Sequence, residues 1–241
     1  VGYKKGKKEE GALVVSSSGS EKPRILCYGD SNTWGYNPEN GFRYLPESRW
    51  PSVMQDSLPE SWTVIEEGLP GRTTVFDDPI TPFRKGAGFL SVLLETHIPL
   101  DLIIIMLGTN DTKYRFSASI HDIGLGLGVL VDEIGRFPFE MMGGRRPDIL
   151  IIAPPPIRSV QNIPGSFMGA FEKSKNFAEV FRRVAEEKKC LFFDAGKVVS
   201  SSPIDGVHFS AESHKDLGRA LARYVTPILL ERTLHGHSFD R

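Results

Sequence analysis

Cysteine is scarce in this sequence: Cys27 and Cys190 are the only two among 241 residues. A disulfide-held scaffold needs more, and two cysteines so far apart, each inside an apolar stretch, read as a pair of buried thiols. An excess of charge of one sign is missing too. With 29 basic against 30 acidic residues the formal net charge is −1, which argues against affinity for nucleic acid or membrane built on a strongly basic surface. No apolar run approaches the roughly 20 residues that a bilayer-spanning helix requires. Gly11-Ala12-Leu13-Val14-Val15, behind a lysine-rich start, is too short for the core of a signal peptide. A cytoplasmic location is therefore expected. The histidine pairs His208 with His214 and His235 with His237 match no common zinc spacing, so neither metal nor cofactor is expected. Gly124, Gly126 and Gly128 fall inside a helical pattern instead of following a strand, which favours close helix packing over a phosphate-binding loop.

What is present is a core-forming chain, 40% hydrophobic and 24% charged. A chain of this length buries roughly 70–75% of its unfolded surface and needs no staple to fold. Residues 1–21, with Ser16-Ser17-Ser18-Gly19-Ser20, read as a flexible leader with the composition of vector-derived sequence, and residues 22–241 as one domain. Five strand-like runs follow: Arg24 to Tyr28, Trp62 to Glu66, Asp101 to Leu107, Asp148 to Ala153 and Cys190 to Phe193. Between them helical stripes recur, as at Ile123, Leu127, Leu130 and Ile134, at Phe177, Phe181 and Val184, and at Leu217, Leu221 and Val225. Alternation of this kind predicts an α/β fold, a parallel sheet with helices on both faces.

In such sheets the ligand crevice lies beyond the carboxyl ends of the strands. The first run leads into Gly29-Asp30-Ser31-Asn32, the second into Gly68-Leu69-Pro70-Gly71-Arg72, and the third into Gly108-Thr109-Asn110-Asp111; Asp205-Gly206-Val207-His208 precedes the last helix. Singly, each is an ordinary turn or helix cap. Together they supply the parts of acyl transfer through a serine. Ser31 would be the nucleophile, His208 the base that takes its proton, and Asp205 the acid that orients the imidazole, folded back through a turn at Gly206. Three donors are available for the developing oxyanion: the N–H of Ser31 at the start of a helix, the N–H of Gly71 and the side-chain amide of Asn110. Gly71 also reads as a plain turn glycine and Asn110 as a helix cap.

These four blocks, in this order, resemble those of the SGNH hydrolases, also called the GDSL esterase/lipase family. The longer stretches Ile25 to Gly35, Val64 to Leu69 and Ile103 to Lys113 are similar to its arylesterase and acyltransferase branch, which includes perhydrolases. The resemblance implies a three-layer α/β/α sandwich of flavodoxin-like type with a five-stranded parallel sheet. It also implies a triad of Ser31, Asp205 and His208 and an oxyanion hole of Ser31, Gly71 and Asn110. Asn32 stands where the name-giving motif has leucine, and Gly71 where close relatives carry alanine; both read as tolerable departures.

The expected activity is hydrolysis or transfer of short-chain, acetyl-type acyl groups from a small-molecule ester, with a thioesterase or lysophospholipase using the same triad as the alternative. Asp30 and Trp34 are candidates for substrate contact. Trp34 and Tyr36 read either as a wall limiting the acyl side or as packing on the core. The segment from Pro154 to Phe171, with Phe167 and Met168, is a candidate border for the alcohol side. Phe137 to Met142 reads either as an interface of a homo-oligomer or as a loop on its own core.

Overall fold

The computed structural model describes residues 22–235; the leader expected over residues 1–21 lies outside the described residues. Five strands, β1 (Arg24–Gly29), β2 (Thr63–Gly68), β3 (Leu102–Met106), β4 (Asp148–Ala153) and β5 (Leu191–Asp194), form one all-parallel sheet in the order β2-β1-β3-β4-β5. Each expected strand is present, with ends displaced by at most two residues. Asp101, expected in β3, lies outside it and accepts from the N–H of Arg24 at 2.8 Å.

The three central strands are apolar at nearly every position because both of their faces are covered. Their side chains alternate between two cores. Leu26, Tyr28, Ile103, Ile105 and Ile151 face one layer, while Ile25, Cys27, Leu102, Ile104 and Ile152 face the other. The first layer consists of α3 (Leu90–His97), α4 (Ile120–Arg136) and α6 (Phe177–Lys188), following the short α1 (Ser31–Trp34) and α2 (Trp50–Ser57) and interrupted by α5 (Ala170–Ser174). The opposite face is covered by α2 and α7 (Ala211–His235), with Trp50 and Met54 meeting Leu217, Leu221 and Val225.

The capping box that starts α4 is written in the sequence: Asp122 N–H donates to Ser119 Oγ, and Ser119 N–H to Asp122 Oδ2. Its glycines serve close packing. A Cβ on Gly124 would lie 2.6 Å from a methyl of Val180, and one on Gly126 would collide with the Thr74 hydroxyl. Phe137 and Phe139 are buried in the core beneath the first layer, which leaves Met141 and Met142 as the exposed apolar side chains of that segment. No helical stripe marks α2 or α3 in the sequence. Each has only two turns, too short for a periodic stripe to stand out, and α2 opens on Trp50-Pro51, where proline is tolerated in the first turn. Cys27 is buried as expected, but Cys190 is only half-buried, because it precedes an edge strand; both thiols are free.

Candidate active site

The carboxyl ends of β1, β2 and β3 and the segment ahead of α7 meet at one edge of the sheet. At the end of β1 the chain turns sharply into α1. Asp30 caps that turn, its Oδ1 accepting from the N–H of Asn32 at 2.9 Å. Ser31 thereby stands at the first position of a single helical turn. The dipole of so short a helix adds little, but the Ser31 N–H has no acceptor among the described residues.

The other half of the arrangement comes from the opposite end of the chain. Gly206 adopts a left-handed conformation (φ 74°), which glycine takes without strain and which folds Asp205 back under His208. Asp205 Oδ1 accepts from the N–H groups of Val207 and His208, each at 3.0 Å, and Oδ2 lies 2.6 Å from His208 Nδ1. The remaining imidazole nitrogen, Nε2, lies 2.9 Å from Ser31 Oγ. Burial pushes the Asp205 carboxyl up, but hydrogen bonding and charge from His208, with the two backbone N–H groups, outweigh it and hold the carboxyl below its usual range.

Gly71 and Asn110 lie at the neighbouring strand ends. Gly71 has φ 85°, and its N–H has no acceptor among the described residues. A Cβ there would meet Arg84 at 3.3 Å in a backbone conformation that L side chains rarely adopt, so alanine is not an equivalent residue in this chain. Asn110 starts a 3-10 turn, and its side-chain amide donates to Arg72 O at 3.0 Å and more weakly to Asp30 Oδ2 at 3.4 Å. One hydroxyl, one imidazole, one carboxylate and three amide N–H groups thus come from three strand ends and the segment ahead of α7.

Asp30, expected to contact substrate, is instead 1% exposed, with its carboxylate engaged by Asn32 and Asn110. It holds the turn from beneath, and burial pushes its carboxyl up to about 6 against the pull of the Asn32 N–H and of the nearby charges. Trp34 belongs to neither core and lies beneath the Arg43 guanidinium, 5.4 Å from the ring centroid. The Tyr36 ring leans on the His208 imidazole, centroids 4.1 Å apart. From the segment after β4, Ile157, Phe167 and Ala170 pack with Val207, next to His208, in a small cluster of their own.

Sequence reasoning gave no role to Arg72 and Asp111 here, and read Asn32 only as a tolerable departure from leucine. Arg72, 4% exposed, donates to the carbonyls of Gly29 and Glu67 and lies over the Tyr28 ring, tying the ends of β1 and β2 together. Asp111 accepts from the N–H and hydroxyl of Thr74 and so joins the loop after β2 to that after β3. Asn32 reaches across to the segment bearing His208. A charged or amide side chain inside an otherwise small-residue turn was the available signal. Among the described residues no group of three or more His, Cys, Asp and Glu side chains is placed to hold a metal ion, and no helix is long and apolar enough to cross a membrane.

Comparison with known proteins gives the chain's family and fold. The family model described as GDSL-like lipase/acylhydrolase matches residues 27–215. The carbohydrate acetylesterase Est24 from Sinorhizobium meliloti is 39% identical, with a TM-score of 0.82 over 86% of this chain and 100% of that one. The aryl esterase of M. smegmatis is 42% identical, with a TM-score of 0.81 over 85% of this chain and 99% of that one. A lipase/acylhydrolase from Enterococcus faecalis, 21% identical with a TM-score of 0.60 over 86% of this chain and 96% of that one, shares the fold. No curated protein matches the chain.

Proposed function

The chain belongs to the GDSL-like lipase/acylhydrolase family and is a serine-dependent carboxylic ester hydrolase, and on that basis we propose that it cleaves short-chain, acetyl-type esters through an acyl-enzyme on Ser31. The observation that carries the assignment of residues is the relay of 2.9 Å from Ser31 Oγ to His208 Nε2 and 2.6 Å from His208 Nδ1 to Asp205. Ser31 Oγ attacks the ester carbonyl while His208 Nε2 takes its proton. The same nitrogen then returns the proton to the departing alkoxide, and Asp205 fixes the tautomer and stabilises the imidazolium. Water, or another alcohol or a peroxide, attacks the acyl-Ser31 ester with His208 again as base.

The negative charge on the carbonyl oxygen is met by the N–H groups of Ser31 and Gly71 and by the Asn110 amide, which exchanges its weak 3.4 Å contact with Asp30 for the oxyanion; losing one such donor typically costs about 2.7–4 kcal/mol of transition-state stabilisation. Acetyl-type substrates are favoured by similarity to an acetylesterase and an aryl esterase. A panel of p-nitrophenyl acetate and octanoate, acetylated sugars, acyl-CoA and lysophospholipid tests the reading. Faster turnover of the acetyl esters is expected; a preference for the thioester or the lysophospholipid overturns it. A cytoplasmic location, supported by the two free thiols, belongs to the same proposal. So does a homo-oligomer, supported by the exposure of Phe42, Ile80, Phe83 and Tyr114 and checked by a light-scattering mass.

A further inference from the structure

The segment that carries His208 has no regular structure of its own. The preceding 3-10 turn ends at Lys197 and α7 begins at Ala211, so the backbone around the imidazole has no helix or strand to fix it. Its polar groups are nevertheless paired. The N–H of His208 donates to Asp205 Oδ1 at 3.0 Å, and its carbonyl accepts from the N–H of Ser202 at 2.7 Å, both within the segment. The groups on either side are held from elsewhere. The side-chain amide of Asn32 donates through Nδ2 to the carbonyl of Val207 at 3.3 Å and accepts through Oδ1 from the N–H of Phe209 at 3.1 Å.

One planar amide therefore grips the chain immediately before and immediately after His208, across 175 and 177 residues of sequence. A neighbouring strand would make the same paired contact. Asn32 is itself fixed: it is 2% exposed, and its N–H donates to the Asp30 carboxylate at 2.9 Å. It also directly follows Ser31 on the same helical turn. We infer that Asn32 is a positioning residue for His208, setting the imidazole in register with the Ser31 hydroxyl through a two-point hold on the backbone. A leucine at this position has neither donor nor acceptor and leaves two backbone groups without their partner. The inference rests on the proposed role of His208 as base.

The test is a pair of variants in two backgrounds. Asn32→Leu and Asn32→Asp are made in the wild-type enzyme and in His208→Ala, with kcat and KM measured on p-nitrophenyl acetate and folding checked by thermal melting. Displacing a base from its reacting partner lowers kcat on the order of 10²-fold, so Asn32→Leu is expected to lose that much, with KM changed by less than about twofold. In His208→Ala the same substitution is expected to leave the residual rate unchanged, since the group it positions is gone. Asn32→Asp, which keeps the shape and the Phe209 contact but turns an acceptor toward the Val207 carbonyl, is expected to lose less. It carries the comparison if the leucine variant does not fold.

Wild-type kcat in a folded Asn32→Leu, or an equal proportional loss in both backgrounds, overturns the inference. A wild-type rate in His208→Ala would overturn the proposed mechanism and this inference with it. An inactive His208→Ala beside a normal Asn32→Leu would remove only the role of Asn32.

Discussion

The imidazole Nε2 of His208 lies 2.9 Å from the Oγ of Ser31, although 177 residues separate the two along the chain. Groups that act as one relay are not additive. Ser31→Ala and His208→Ala are each expected to lower kcat by at least about 10³-fold, and the double variant to be no worse than the poorer single one. Steady-state rates on an activated acetate ester check this; multiplied losses in the double variant would mean that the two side chains act separately.

Asn110 presents its amide at the end of β3, where it donates to Arg72 O at 3.0 Å in the free enzyme. Asn110→Ala is expected to lower kcat by about 10²–10³-fold with little change in KM, because a donor aimed at the developing oxyanion acts in the transition state. A raised KM at unchanged kcat would assign the amide to ground-state binding instead.

Trp34 packs in neither core and is a candidate wall on the acyl side. Trp34→Ala is expected to shift the ratio of acetyl to octanoyl turnover toward the longer chain by about tenfold, the scale on which apolar pockets discriminate. An unchanged ratio with intact folding would leave Trp34 no part in selectivity.

Asp111 is fully buried, and burial pushes its carboxyl from the ordinary 3.8 up to about 6, against the pull of the Thr74 hydroxyl and N–H. Between those two values the folded protein binds this proton more tightly than the unfolded chain. Its contribution to stability therefore falls as pH rises through that window, and the penalty is complete above about 6. Asp111→Asn keeps an oxygen for Thr74 and has no proton to lose. Relative to wild type, its unfolding free energy is expected to rise by about 1 kcal/mol between pH 5 and pH 8. Urea titrations at the two pH values check this; parallel behaviour of the two proteins would contradict it.

The sheet was legible because its central strands, such as Leu102–Met106, are continuous apolar runs, the direct result of burial on both faces. The blocks were legible because Asp30, Ser31 and Asn110 are polar residues set just beyond such runs, and Asp205 and His208 stand just ahead of the last helical stripe. What escaped reading depended on contacts between distant segments. Nothing near position 72 announces that an arginine there bridges the carbonyls of Gly29 and Glu67, and Asn32 looked like a tolerated replacement for leucine until its amide was seen against Val207 and Phe209. Asp30 was misread for the same reason: it is buried against Asn110, 80 residues away, a contact that local sequence does not express.

The central claim is that the Ser31 hydroxyl is the nucleophile, and active-site titration with a p-nitrophenyl phosphonate ester tests it most directly. The account predicts one equivalent of p-nitrophenol released per chain, activity lost in proportion, and the phosphonyl mass on the peptide containing Ser31, with no burst in Ser31→Ala. Proportional loss of activity with the label on another residue, or full activity in a protein completely labelled at Ser31, would contradict it.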